Sequence, residues 1–206
     1  MTTYSIAGLR AYGTAETAVA QSSSATTLRE DQVRLGLWMF LATVTMLFAA
    51  FTSAYVVRRS GSDWRPVALP TILWLNTLFL AASSLALEAA NRSGSRGRWL
   101  RGTAAFGVAL SLGVAFLVGQ VVAWRQMVSA GVYLPSSPHS SFFYMLTAAH
   151  ALHVCAALAV LAWGARQTWA GGRNPRRWTA SMGVCRTFWH YLGVVWLFLF
   201  ALVSIY

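Results

Sequence analysis

The sequence predicts an all-α integral membrane protein built as a bundle of five transmembrane helices. Five strongly apolar stretches fill most of the 206 residues, each about as long as the roughly 20 residues a helix needs to cross a bilayer's hydrocarbon core. Residues are 57% hydrophobic and only 10% charged, where water-soluble domains carry about a quarter charged residues. The charges that exist are almost confined to the segments between the stretches.

Residues 1–34 come first, rich in Ala, Ser and Thr, with no apolar run long enough for a signal-peptide core. They are expected to form a cytoplasmic N-terminal tail ahead of a transmembrane domain at 35–206. Composition alone does not separate a disordered tail from one lying along a partner. The first helix is expected at 35–57, where Ala42, Ala49, Ala50 and Ala54 would allow a neighbouring helix to approach closely. The second, at 67–89, carries Asn76 and Thr77 inside and Glu88 at its end, where a carboxylate reaches water. The third, at 102–124, holds Gln120, with Gly107 and Gly113 as further points of close approach. On the fourth, at 142–164, His150 and His153 are spaced i, i+3 and share a face. The fifth, at 184–206, carries Trp189, His190 and Trp196.

All 16 basic residues are arginines. Eleven fall before the first stretch, between the second and third, and between the fourth and fifth; four fall in the other two loops, and Arg186 stands at the start of the fifth stretch. Basic residues collect in loops that stay cytoplasmic, so the N-terminus is expected in the cytoplasm and Tyr206 outside. This also accounts for a net charge of +11 without nucleic acid as a partner. Tyr55, Trp64, Trp124 and Tyr133 are expected at the outer interface, with Trp99, Trp169 and Trp178 at the inner one, as an aromatic belt. Cys155 and Cys185 read as small apolar residues within or at the edge of helices; with no CxxC spacing they form no metal cluster, and a structural disulfide is not expected on the reducing side of the membrane.

Ionisable side chains inside a membrane mark transport pathways and relays. No Asp, Glu, Lys or Arg sits in the middle of any of these stretches, which argues against an autonomous proton or ion transporter. His153 and His190 fall at comparable depth and could offer axial ligands to a haem. Against that, no carboxylate is available to orient a metal-bound imidazole, so the histidines are expected to be hydrogen-bonded to neighbouring helices or to a partner, and to bind no metal.

Several segments, in order, resemble subunit III of the haem-copper oxidases. They are GLWMFLATVTMLFAAFTSAYVVRR at 36–59, LPTILWLNTLFLAASS at 69–84, LVGQVVAW at 117–124, GVYLPSSPHSSFFYMLTAAHALHV at 131–154 and FWHYLGVVWLFLF at 188–200. The most specific pieces are His150, His153 and Val154, and Phe188, Trp189 and His190 followed by Val194, Val195 and Trp196. The family has seven-helix and five-helix forms, and this chain resembles the five-helix one. The resemblance implies a non-catalytic subunit of a respiratory complex that reduces dioxygen, packed against subunit I and subunit II in a bacterial cytoplasmic membrane. It implies no catalytic residue and no cofactor on this chain, haem and copper in partner subunits, and phospholipid held between helices. Support of proton uptake and of the catalytic subunit's stability would be its role. Trp38, Tyr55, Asn76, Thr77, His139, His150, His153, Trp189, His190 and Trp196 are then structural, lipid or subunit-interface candidates.

Two positions depart from the family. Its first helix commonly reads FLASEVMLF, and here Val44 replaces the buried glutamate. Gly193 stands where an aspartate often precedes VVW. A cytochrome c oxidase is the favoured assembly, with a quinol oxidase or a nitric oxide reductase as alternatives; an isolated transporter or assembly factor is a reading of a different class.

Overall fold

The computed structural model describes the backbone of residues 6–64, 69–170 and 175–205, and the side chains of 31–64, 69–166 and 182–205. Its elements are α1 (Ile6–Arg59), α2 (Ile72–Ser95), α3 (Trp99–Ser129), α4 (Pro138–Ala170) and α5 (Pro175–Ile205), with no strand among the described residues. Each helix contains a span long and apolar enough to cross a membrane: Asp31–Arg59, Ile72–Ser95, Trp99–Ser129, Pro138–Arg166 and Met182–Ile205. The all-α membrane fold expected from the sequence is therefore the one found.

The backbone is helical from Ile6, so most of the segment set apart as a tail continues into the first span. Its Ala, Glu, Gln and Leu residues favour helix, and it lacks proline. Residues up to Phe40 and those from Leu41 on form separate units. In the first, the side chains of 31–40 are exposed or half-exposed. The second contains the bundle.

α2 starts at Ile72, later than position 67, because Leu69 precedes Pro70 and is sterically disfavoured in the helical region. Val67 and Ala68 lie outside the described residues. The buried positions of α2 are Leu73, Asn76, Leu80, Ser83, Leu87, Ala90 and Gly94, alternating three and four residues apart. Those of α3 follow the same rhythm at Gly102, Phe106, Ala109, Gly113, Phe116, Gln120, Ala123 and Met127, with Gly119 buried as well beside Gln120. This 3.5-residue repeat keeps one seam of each helix facing its neighbours in a left-handed pairing. Lipid tails are as apolar as Leu, so close packing and interhelical hydrogen bonds must hold the seam. Both are present: a Cβ on Gly102 would lie 3.1 Å from the Gly94 backbone nitrogen, and Ser83 Oγ donates to Ala109 O at 2.8 Å.

The expected sites of close approach were only partly correct. Gly113 is one, but a Cβ on Gly107 would meet nothing within 4 Å. Ala42, Ala49, Ala50 and Ala54 are exposed, and α1 buries Leu41, Val44, Phe48 and Tyr55 instead. The glycines that admit a neighbour are Gly102, Gly113 and Gly119.

α2 and α3 end in the same way. Gly97 (φ 72°) and Gly131 (φ 77°) adopt the left-handed conformation. The N–H of each bonds back three residues, to Gly94 O and Val128 O, and the next N–H bonds back five, to Ser93 O and Met127 O. This is the Schellman stop, which favours glycine because it has no Cβ. α4 starts with Pro138 in its first turn, where a missing N–H costs nothing. Ser137 and Ser140 cap it reciprocally, each backbone N–H donating to the other's Oγ at 3.0 and 3.1 Å.

Candidate functional site

Apart from Ser83, the buried polar side chains among the described residues gather in the half of the bundle nearer the α3–α4 connection. On α4 the buried face mixes the polar Ser137, His139, Ser140, Thr147 and His150 with Phe143 and Leu146, and then turns wholly apolar with Val154, Ala157, Leu158, Leu161 and Ala165.

At the end of the bundle, Tyr55, Trp64, His139 and Phe142 form an aromatic box. Tyr55 meets Trp64 edge-on at 5.1 Å and Phe142 at 5.6 Å, and Trp64 meets His139 at 5.2 Å; such edge-to-face contacts stabilise beyond area burial. His139 also hydrogen-bonds the Val203 backbone on α5. Arg58 pairs with Asp63 and pins the turn that brings Trp64 onto the box. The Arg58 hydrogen bond holds the Asp63 carboxyl below its ordinary pKa. Tyr55 and Trp64 are thus parts of this box and not only interfacial anchors.

One level deeper, Trp196 reaches three other helices. Its ring meets Phe116 at 4.9 Å and His150 at 5.3 Å, and its Nε1 donates to Thr77 Oγ1 at 3.0 Å. Thr77 in turn donates to Leu73 O. Phe48 of α1 packs against both His150 and His153. Asn76 lies against Gly119, where a Cβ would fall 1.9 Å from its Oδ1, so only glycine leaves the amide room. Gln120 follows Gly119 and lies one turn beyond Phe116. Nearby, Trp124 Nε1 donates to Thr147 Oγ1 at 3.0 Å.

The two intramembrane histidines sit differently. His153 is half-buried with Nδ1 2.7 Å from Ala149 O of its own helix. His150 is fully buried, and neither ring nitrogen hydrogen-bonds to the protein. The expected bonds to neighbouring helices are therefore absent at His150, where its contacts are to rings. Trp189 is buried against Gly113 and Leu158, His190 is half-buried, and Trp38 is exposed. Val44, at the glutamate position, is buried. Gly193 is half-buried, and a Cβ there would lie 4.0 Å from Ser84 Oγ. Cys155 and Cys185 are free thiols. Trp169 and Trp178 lie outside the described side chains.

Toward the opposite end, Glu88 bonds to Arg186 at 2.8 Å and Arg92 at 3.4 Å, tying α2 to α5. Sequence reasoning gave Glu88 only water as a partner. Opposite charges near the same end of two helices were the available signal. Among the described residues, no group of three or more His, Cys, Asp and Glu is placed to hold a metal ion.

Comparisons with known proteins agree on a family. Residues 14–206 match the family model described as cytochrome c oxidase subunit III. A Mycobacterium bovis protein named "Probable cytochrome c oxidase subunit 3" is 30% identical, covering 94% of this chain and 97% of that protein. "Cytochrome c oxidase subunit 3" of Bacillus sp. strain PS3 is 28% identical over 92% of this chain and 93% of its own length. "Cytochrome bo(3) ubiquinol oxidase subunit 3" of Pseudomonas aeruginosa is 30% identical over 82% of both. With the match running through all five helices, and so through the box, the Trp196 layer and the Glu88 pairs, this chain belongs to the cytochrome c oxidase subunit III family.

Proposed function

We propose that this chain is the non-catalytic subunit III of a bacterial respiratory haem-copper oxidase, of the type that takes electrons from cytochrome c and reduces dioxygen to water. The observation that carries the reading is the family match over 14–206, together with the names of the relatives from Mycobacterium and Bacillus. Haem and copper belong to the partner subunits, I and II, and this chain stabilises the catalytic subunit and supports its proton uptake. The arginine distribution supports an N-terminus on the cytoplasmic side of the inner membrane. With valine at 44, that position contributes no carboxylate to proton movement.

Phospholipid is the small molecule this chain holds. A groove beside α1 is walled by Ala50, Ala54, Val57 and Phe142, with Arg58 at its mouth. An apolar wall ending in a guanidinium matches an acyl chain joined to a phosphate. Ala50 and Ala54 thus line a lipid-sized groove and not a helix seam.

Affinity purification through a tag on this chain from gently solubilised membranes tests the reading. Haem-bearing oxidase subunits should co-purify, and the preparation should consume dioxygen with reduced cytochrome c. Isolation of this chain alone, with a transport or catalytic activity of its own, would overturn it. The Pseudomonas relative favours a second reading, subunit III of a quinol oxidase; turnover with quinol and not with cytochrome c would select it.

A further inference from the structure

Three side chains of the Trp196 layer stand out from everything around them. Asn76 and His150 are 0% exposed and Gln120 is 1% exposed. Both amide atoms of Asn76, both of Gln120 and both ring nitrogens of His150 lack a hydrogen-bond partner. The two nearby threonines are satisfied, Thr77 with Trp196 and Thr147 with Trp124, and the lone donors left elsewhere, such as Trp189 Nε1, are single atoms outside this cluster. A buried polar group left unpaired costs about 1–3 kcal/mol, and three such residues on three helices would make this the weakest part of the bundle.

The chain of contacts places the three residues in one cross-section. Asn76 packs against Gly119, next to Gln120, while its neighbour Thr77 bonds to the Trp196 ring that packs on His150. Phe48, Phe116 and Trp196 close the layer with apolar rings. The chemistry narrows what can bind there. Each amide offers two donors and an acceptor, and a neutral imidazole offers one of each. An anion would leave the amide oxygens unmet, and a cation would find no carboxylate among these groups. A neutral ligand that both donates and accepts, and is small enough for a closed layer, satisfies all three.

We propose that the layer is a binding site for ordered water, with a small cluster bridging Asn76 on α2, Gln120 on α3 and His150 on α4. The water is a structural ligand that joins three side chains, on three helices, that have no direct polar contact with one another. It also explains Gly119, since any side chain there would displace the Asn76 amide from the cluster.

The test uses the full chain in the membrane assembly with which it purifies. A structure that resolves ordered solvent should show peaks within hydrogen-bonding distance of a His150 ring nitrogen and of the Asn76 or Gln120 amide. The three side chains found bonded directly to one another or to backbone, with no solvent between them, would overturn the proposal. Thermal midpoints provide a second arm. His150→Phe and Asn76→Leu should each lower the midpoint, and the double variant should lower it by less than the sum, because removing either group already breaks the bridge. Strictly additive shifts would show independent sites and sink the idea. His150→Gln and Asn76→Ser, which keep a donor and an acceptor, should stay closer to the parent midpoint; if they fall as far as the apolar variants, packing alone governs the layer.

Discussion

The two halves of α4 bury comparable surfaces by different means. From Val154 to Ala165 the hidden face is Val, Ala and Leu, packed against α5 and, at Leu158, near Gly113. From Ser137 to His150 the fully buried Phe143 and Leu146 are interspersed with hydroxyls and imidazoles that need partners of particular chemistry at particular places. The first half should therefore respond to changes of volume and the second to changes of hydrogen bonding. In a membrane this distinction matters more than in water, because apolar burial does not favour the bundle over lipid.

The largest effect should come from the apolar half. Leu161 is fully buried, and Leu161→Ala is expected to lower stability by about 2–5 kcal/mol through lost packing and a residual cavity. Thr147→Val nearly conserves volume but removes the acceptor for Trp124 Nε1; it should cost about 1 kcal/mol, in the range of measured intramembrane hydrogen bonds. Thermal unfolding of the two variants in the purified assembly compares them directly, and a greater loss in Thr147→Val would reverse the contrast.

A glycine pair sharpens the comparison, at an amplitude below that of Leu161→Ala. Gly119→Ala drives a methyl into the Asn76 amide and should destabilise by about 1–3 kcal/mol, as overpacking does. Gly107→Ala, with open space around it, should be neutral or gain a few tenths of a kcal/mol from helix propensity. Equal effects in the same assay would mean that the contact between Gly119 and Asn76 does not constrain the bundle.

The smallest expected effect lies at the end of the polar half. Folding lowers the Asp63 pKa through its hydrogen bond to Arg58, so this pair contributes above the unfolded carboxylate pKa. The contribution is lost as pH falls through the lower folded value, that is, below about pH 4. Hydrogen exchange in residues 60–64, corrected for intrinsic rates, should lose protection there in the parent protein. Asp63→Asn should have less protection at neutral pH and no such step.

The five spans were legible because hydropathy and length alone decide what crosses a bilayer. Which face of each span is buried was not. Lipid and protein interior are equally apolar, so neither Gly107 nor the alanines of α1 differ in sequence from residues that make contact. The 3.5-residue seam of α2 and α3 was present in the sequence, but the apolar residues outside the seam concealed it. Asn76, Thr77, His139, His150, Trp189 and Trp196 could be named from residue type and motif, and the structure buries or hydrogen-bonds each. Their grouping was not legible, because it depends on Gly119 and Phe116, which carry no chemistry of their own.

The glycine stop at Gly97 has a consequence for how the molecule assembles. Between Ser95 and Trp99 the chain reverses direction, so α2 and α3 are neighbours in sequence and meet along a continuous seam. Closing so short a loop costs little entropy, and the contacts it brings are local ones of the kind that form early. α2 and α3 therefore act as a hairpin that can pair as soon as both have entered the bilayer. The hydrogen bond from Trp196 to Thr77 and the Arg186 pair with Glu88 then dock α5 onto an existing surface. The last helix to be made finishes a site whose first wall was already standing.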